Sequence, residues 1–254
     1  MPYPNVEGKH GFDAIYSPED SLGYRRKIES SRNFQAPEGV VLTHQYSALQ
    51  NILAWEDGLK DHYVTQQLYF LASKDNKVGV SLYGLGASQA AVIMEELIAK
   101  GSRRFINIGV AGGVGKNSKV GDIVVCNKAI RDEGISHHYL EPGKYVDTSF
   151  DLTSKLKEKL EQQNLQFSEG QTWTIDAPFR ETREEVSQYQ EEGVLTVEME
   201  TAALAAVAKH RGVEFAAAFV ISDLVSNEIW EPGFHLPEVV RALDNLHQVA
   251  LSVL

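Results

Sequence analysis

A chain of 254 residues, 43% of them hydrophobic, can bury one large core, and an α/β chain of this size is expected to form a single domain over residues 1–254. Its 24 basic and 35 acidic residues leave a formal charge of −11, mixed along the chain without blocks, which argues against nucleic acid or an anionic membrane as the main partner. The single cysteine, Cys126, excludes an intramolecular disulfide framework and cannot make a metal site alone.

In chain order, residues 1–38, with Pro2, Pro4, Pro18 and Pro37, read as an irregular N-terminal arm. The opening MPYPNVEGKHGFDAIYS has neither the apolar core of a signal peptide nor a run long enough to span a bilayer, so a soluble, cytoplasmic protein is expected. KVGVSLYG (77–84), RRFINIG (103–109), GDIVVCNKAI (121–130) and EFAAAFVIS (214–222) are short apolar runs rich in Val, Ile and Phe, the pattern of buried strands. Between and after them, residues 87–100, 152–163, 183–192, 196–212 and 236–254 carry the apolar spacing and residue types of helices. Alternation of the two predicts an α/β layered fold with a largely parallel sheet.

Ligands of such folds sit where strands end and helices begin, which directs attention to four junctions. In YGLGASQA (83–90) a glycine pair precedes a helix, but Gln89 stands where a dinucleotide fingerprint needs a third glycine. A tight turn fits the same residues. In NIGVAGGVG (107–115) the glycines suit either backbone N–H groups facing an anion or sugar, or a crowded loop needing positive φ. In TVEMETAA (196–203), Glu198 and Glu200 fall about 200° apart on a helix but share one face of an extended segment. They also suit the positive end of the following helix. In FVISDLV (219–225), Asp223 follows a fully apolar strand, where burial favours a proton-donating acid; an ordinary helix N-cap fits the same position.

INIGVAGGVGKNSKVGDIVV, VEMETAA and ISD occur in this order from about residue 77 onward. With them the chain resembles the nucleoside phosphorylase and nucleosidase superfamily of purine nucleoside phosphorylases, uridine phosphorylases and methylthioadenosine nucleosidases. The resemblance implies a three-layer αβα fold around a central mixed, largely parallel sheet. It also implies roles: Glu200 on the ribose hydroxyls, Met199 against the sugar, Glu198 beside base and sugar, and Asp223 protonating the imidazole-ring nitrogen of a purine. Phe179 in TIDAPFRET falls where the family places an aromatic ring on the base. Uridine phosphorylases read uracil with Gln and Arg four and six residues after that aromatic. Here Arg183 and Glu185 occupy those places, which favours a purine; against that, the loop is variable and Arg180 or Arg183 is available to read a base in another way.

The resemblance places the phosphate or nucleophile pocket at Gly86, Asn107, Gly109 and Val110, with inorganic phosphate as co-substrate and no cofactor or metal. Yet LTHQYSAL (42–49) lacks the family's Gly-Asp-Pro-x-Arg loop, and Asn107 stands where phosphorylases have a second arginine. Hydrolytic nucleosidases share Asn and Ala-Gly-Gly here, but THQYSAL lacks their water-activating glutamate. Arg25, Arg26 and Arg32 of the arm are the remaining candidates for phosphate contacts, in the same or a neighbouring subunit. Adjacent His137 and His138, read on a strand, face opposite ways and make a poor metal pair. One of them at the edge of the site is the better reading, and a solvated loop is the plain one.

The expectation is therefore glycosidic cleavage of a purine-type nucleoside, first by phosphorolysis and second by hydrolysis, in a homo-oligomer (dimer or trimer of dimers). A non-catalytic nucleoside-binding or storage protein is the third reading.

Overall fold

The computed structural model describes residues 6, 8–29, 35–55, 58–63, 67–75, 77–225 and 230–254. The arm expected to be irregular instead holds a helix, α1 (Pro18–Glu29). Pro18 occupies the first turn, where its missing N–H costs nothing. Ser17 and Asp20 cap that turn reciprocally, with Asp20 N–H donating to Ser17 Oγ at 3.1 Å and Ser17 N–H to Asp20 Oδ2 at 2.9 Å. The prolines of the arm marked a helix start as much as a break.

From there the chain runs β1 (Gly39–Thr43), α2 (Tyr46–Trp55), β2 (Gly58–Tyr63), β3 (Gln67–Leu71), β4 (Val78–Leu82), α3 (Ala87–Ala99), β5 (Arg104–Gly113) and β6 (Ile123–Asp132). It continues α4 (Ser136–Tyr139), β7 (Tyr145–Asp147), α5 (Phe150–Gln162), β8 (Ser168–Ile175), α6 (Arg183–Glu191), β9 (Val194–Glu198), α7 (Thr201–Arg211), β10 (Glu214–Leu224), β11 (Glu231–Pro232) and α8 (Pro237–Val253). Among the described residues no helix is long and apolar enough to cross a membrane.

The strands form one mixed sheet in the order β11-β10-β6-β8-β9-β5-β1-β4-β3-β2, with β10 also paired to β5. β10–β6–β8–β9–β5 therefore closes on itself as a five-membered ring, and β1, β4, β3 and β2 extend from β5 as an open wing. β4, β1, β5 and β10 are mutually parallel, as are β6, β8 and β9; the two groups meet antiparallel at β10–β6 and β5–β9.

Period-two alternation along β5 explains the layers. Phe105 and Ala111 belong to the core beneath α3 and α7, while Ile106 and Ile108 belong to the core beneath α2, α5 and α8. Helices cover both faces, giving the three-layer αβα arrangement. Asn107 and Gly109 fall in the odd register of β5, on the α3 and α7 side. Val110 falls in the even register and packs against the opposite core, so its side chain is a wall of the fold and not of a nucleophile pocket.

Two expected loops proved more regular. The glycines of NIGVAGGVG lie largely within β5, and Gly109, Gly112 and Gly113 all have negative or extended φ. Their requirement is space: an added Cβ at Gly109 would stand 3.0 Å from His44 Cε1, and one at Gly112 3.0 Å from Val197 Cγ1. His137 and His138 lie in the single turn of α4, not on a strand. Glu133 caps that turn, Arg131 donates to Ser136 Oγ at 3.0 Å, and His10 Nε2 approaches the His137 carbonyl at 2.8 Å. The pair is occupied in docking the N-terminal segment.

Candidate active site

VEMETAA divides where β9 ends. Glu198 is its last strand residue, Glu200 is the N-cap of α7, and Met199 between them is half-buried. Glu198 is 7% exposed and fully engaged within the protein: Oε1 accepts from Thr174 Oγ1, and Oε2 accepts from the Glu200 and Thr201 N–H groups and Thr201 Oγ1 at 2.8 Å each. It supplies the capping acceptor that a helix N-terminus needs. Expected beside base and sugar, Glu198 is engaged on both oxygens by the end of β8 and the start of α7, because the extended-then-helical turn points its carboxylate back under α7.

Glu200 reaches the other way, across to the turn before α3, where its Oε1 accepts from the Gly86 N–H at 2.7 Å. Gly86 has φ 102°, a conformation that favours glycine and aims that N–H out of the turn. Burial, and then the charge of Glu198, push the Glu200 carboxyl above the ordinary carboxylate range; burial does the same to Glu198 against its own hydrogen bonds.

Around Glu200 stand the ends of β1, β4 and β5. Tyr83 is buried and donates its hydroxyl to Asn107 Oδ1 at 2.7 Å. His44 follows β1 with its ring centroid 6.0 Å from that of Tyr83, and its buried Nδ1 has no hydrogen-bond partner among the described residues. Burial lowers its pKa to about 4, so it is neutral near pH 7. Gly86, Asn107 and Gly109 are therefore gathered as expected, but Gly86 N–H and Asn107 Oδ1 are already bonded and the imidazole beside them is uncharged. Arg25 does not join them. It pairs with Glu96 at 2.7 Å where α1 packs on α3, and Arg26 Nε donates to the Leu22 carbonyl at 3.3 Å. Arg32 lies outside the described residues.

Asp223 is aimed by a β-bulge. β10 pairs Ile221 with Ala111 and Asp223 with Gly112, leaving Ser222 as an extra residue. Asp223 Oδ1 accepts from Ser222 Oγ at 2.7 Å, and Oδ2 accepts from Trp230 Nε1 at 2.7 Å. β11 folds back on the strand, with Gly233 N–H donating to the Ser222 carbonyl at 2.7 Å, and so brings Trp230 and Phe234 over Asp223. A cavity of about 440 Å³ lies there, with Phe179, Glu181, Arg183, Asp223, Trp230 and Phe234 in its wall. Phe179, on a single 3-10 turn (Pro178–Arg180), is 98% exposed at its mouth. Gly112 of β5 lies against Asp223: an added Cβ there would stand 3.5 Å from Asp223 Oδ2.

The sequence profile of the phosphorylase superfamily matches residues 39–254, the whole α/β body just described. The chain belongs to this superfamily. It is 30% identical over 152 residues to the DeoD-type purine nucleoside phosphorylase of Bacillus cereus (strain B4264), a match covering 59% of this chain and 65% of that protein. The corresponding protein of Bacillus cytotoxicus matches to the same extent. In fold, the chain resembles the uridine phosphorylase of Vibrio fischeri ES114 (TM-score 0.75, 22% identity, 87% of this chain and 92% of that one). It also resembles the futalosine hydrolase of Helicobacter pylori strain 26695 (TM-score 0.72, 22% identity, 86% and 99%). The superfamily fold thus accommodates proteins named as phosphorylases and one named as a hydrolase, and the residues around the pocket must decide between them here.

Of the residues singled out in the sequence, Asp223, Phe179 and Arg183 line the cavity, and Glu200 and Asn107 stand at the neighbouring strand ends. Sequence reasoning passed over Tyr83 and His44, which lack a motif and matter only because parallel pairing of β1, β4 and β5 lines up their ends. It also passed over Glu181, two residues after Phe179.

Proposed function

We propose that this chain is an enzyme that cleaves the N-glycosidic bond of a purine-type nucleoside, by phosphorolysis to free base and ribose 1-phosphate. The observation that carries this reading is two buried acids at strand ends, Glu200 bonded to Gly86 and Asp223 beside Gly112 of β5, with Phe179 and Trp230 framing the Asp223 end. Heterolysis of the C–N bond leaves positive charge on the sugar and negative charge on the base. Glu200 then serves the ribose hydroxyls, Met199 its apolar face, Asp223 the leaving nitrogen, and Phe179 and Arg183 the base. The chain needs no cofactor for this, and phosphate is the co-substrate. The exposed Phe179 at the cavity mouth is the kind of surface a second subunit covers, in keeping with a cytoplasmic homo-oligomer (dimer or trimer of dimers).

Hydrolysis is the second reading, and one feature favours it. At the ends of β1, β4 and β5 a neutral imidazole and an already bonded Asn107 stand beside two buried carboxyls, a poor setting for a phosphate dianion and a tolerable one for water. Incubation with a panel of nucleosides, with and without phosphate, separates the readings. Base released only with phosphate supports phosphorolysis, release in both conditions supports hydrolysis, and release in neither favours a non-catalytic binding protein. Asp223→Asn is expected to reduce purine release at least about tenfold; full activity in that variant sinks the proposed acid.

A further inference from the structure

The base cavity contains two carboxyls, not one. Glu181 leaves the turn after Phe179 and enters the same wall as Asp223, between the aromatic at the mouth and Arg183. No part of the sequence pattern or the superfamily reading assigns it a task. We propose that Glu181 and Asp223 form a carboxyl pair that holds a single proton between them and gives it to the leaving base as the glycosidic bond breaks. The proposal deepens the glycosidic reading and rests on it.

The division of labour follows from the partners. Asp223 accepts hydrogen bonds on both oxygens of its carboxylate, from Ser222 and from Trp230. Glu181 faces that charge and the charge of Glu185 and is partly removed from water, which together raise its pKa to about 7. Burial contributes most, then Asp223, then Glu185. Glu185 cannot drift toward Glu181 to share the proton, because it is held in the reciprocal cap of α6: its Oε2 accepts from Thr182 N–H at 2.9 Å and from Thr182 Oγ1 at 2.7 Å. Arg183 also lines the cavity wall and is exposed to solvent. Two like charges in one site ionise in two separated steps, so the pair carries one proton over the pH range between them.

In the reaction, the electrons of the C–N bond pass to the base, and a ring nitrogen of the base takes the proton of the pair. The pair is left doubly ionised. The nucleophile, water or hydrogen phosphate, attacks the anomeric carbon and releases one proton, which returns to the pair through solvent. Atoms and charge balance in either case.

The test compares wild type, Glu181→Gln and Asp223→Asn on two substrates between pH 5 and 9: a purine nucleoside and 4-nitrophenyl β-ribofuranoside, whose leaving group needs no proton. Glu181→Gln is expected to lose at least about tenfold in kcat/KM on the nucleoside, with a loss at least about tenfold smaller on the nitrophenyl riboside. The alkaline fall of the nucleoside profile near pH 7 should disappear with it. Equal losses on both substrates, or an unchanged profile, overturn the pair. A second measurement needs no turnover: carboxyl NMR of 13C-glutamate-labelled protein should show one side chain, absent in Glu181→Gln, titrating near neutrality and moving down in Asp223→Asn. A Glu181 signal in the ordinary range, or one indifferent to Asp223→Asn, overturns the proposal whether or not any nucleoside is cleaved. Cleavage of no nucleoside by wild type alongside a neutral Glu181 titration would instead count against the glycosidic reading alone and leave the proton-sharing pair standing.

Discussion

The Gly86 N–H donates to Glu200 Oε1 at 2.7 Å, joining the turn after β4 to the cap of α7. One hydrogen bond thus ties the proposed ribose ligand to the glycine the sequence had marked for phosphate. Glu200→Ala removes both this tie and the acceptor for sugar hydroxyls. A charge-assisted hydrogen bond is worth about 1.5 to 3 kcal/mol, so kcat/KM on a ribonucleoside should fall roughly 10- to 100-fold. The preference for ribo- over 2′-deoxyribonucleoside should shrink in parallel, measured by paired kinetics; a preserved preference removes Glu200 from the sugar.

Glu198, two residues earlier, answers to a different measurement. Its Oε2 satisfies the Glu200 and Thr201 N–H groups and the Thr201 hydroxyl, and its Oε1 the Thr174 hydroxyl. Glu198→Ala strands these donors at a buried helix end and is expected to cost about 2 to 4 kcal/mol in urea unfolding. A variant with wild-type stability and a raised KM would restore Glu198 to the substrate.

The contrast between these glutamates shows what could be read from the residues alone. Their identity and neighbourhood were visible in VEMETAA, and Asp223 in ISD, because short motifs keep their local turn. Which carboxylate caps α7 and which reaches across to Gly86 was not visible. That depends on where β9 stops and α7 starts, a boundary fixed by Thr174 on β8, some two dozen residues away in sequence. The ring closure of β10 on β5 was equally hidden, since a parallel pairing between strands a hundred residues apart leaves no local signature. The helix at Pro18–Glu29 was hidden for the opposite reason: its Ser-Pro-Glu-Asp cap was in plain view, and the prolines drew attention away from it.

Trp230 offers a conservative probe of the base end. Trp230→Phe keeps an aromatic ring near Phe234, at 6.3 Å in the native pair, and deletes the donor to Asp223 Oδ2. The Trp230 hydrogen bond holds the Asp223 carboxylate in the wall it shares with Glu181, so its loss is expected to lower kcat/KM on a purine nucleoside roughly tenfold, with a smaller loss on 4-nitrophenyl β-ribofuranoside. An unchanged kcat/KM separates the tryptophan from the chemistry.

Acid sensitivity should trace in part to a buried histidine on the inner face of α8. His247 is 0% exposed, its Nδ1 lies 2.8 Å from the Leu243 carbonyl, and burial lowers its pKa to about 4. In the unfolded chain it titrates near 6.5, so between about pH 6.5 and 4 the unfolded state binds more protons. Stability therefore falls as pH falls through that window, by on the order of 3 kcal/mol for this one side chain. Glu181, raised to about 7, works in the opposite direction: its contribution is full below the unfolded carboxylate value and is lost as pH rises through 7. The two overlap between about pH 4.5 and 6.5 and partly cancel in the wild type, so the histidine is seen by difference. His247→Leu should lose about 2 kcal/mol less than wild type between pH 6.5 and 4.5 in urea unfolding. Parallel curves for the two proteins would mean that His247 is not protonated on unfolding in that range, and the buried neutral imidazole would have to be given up.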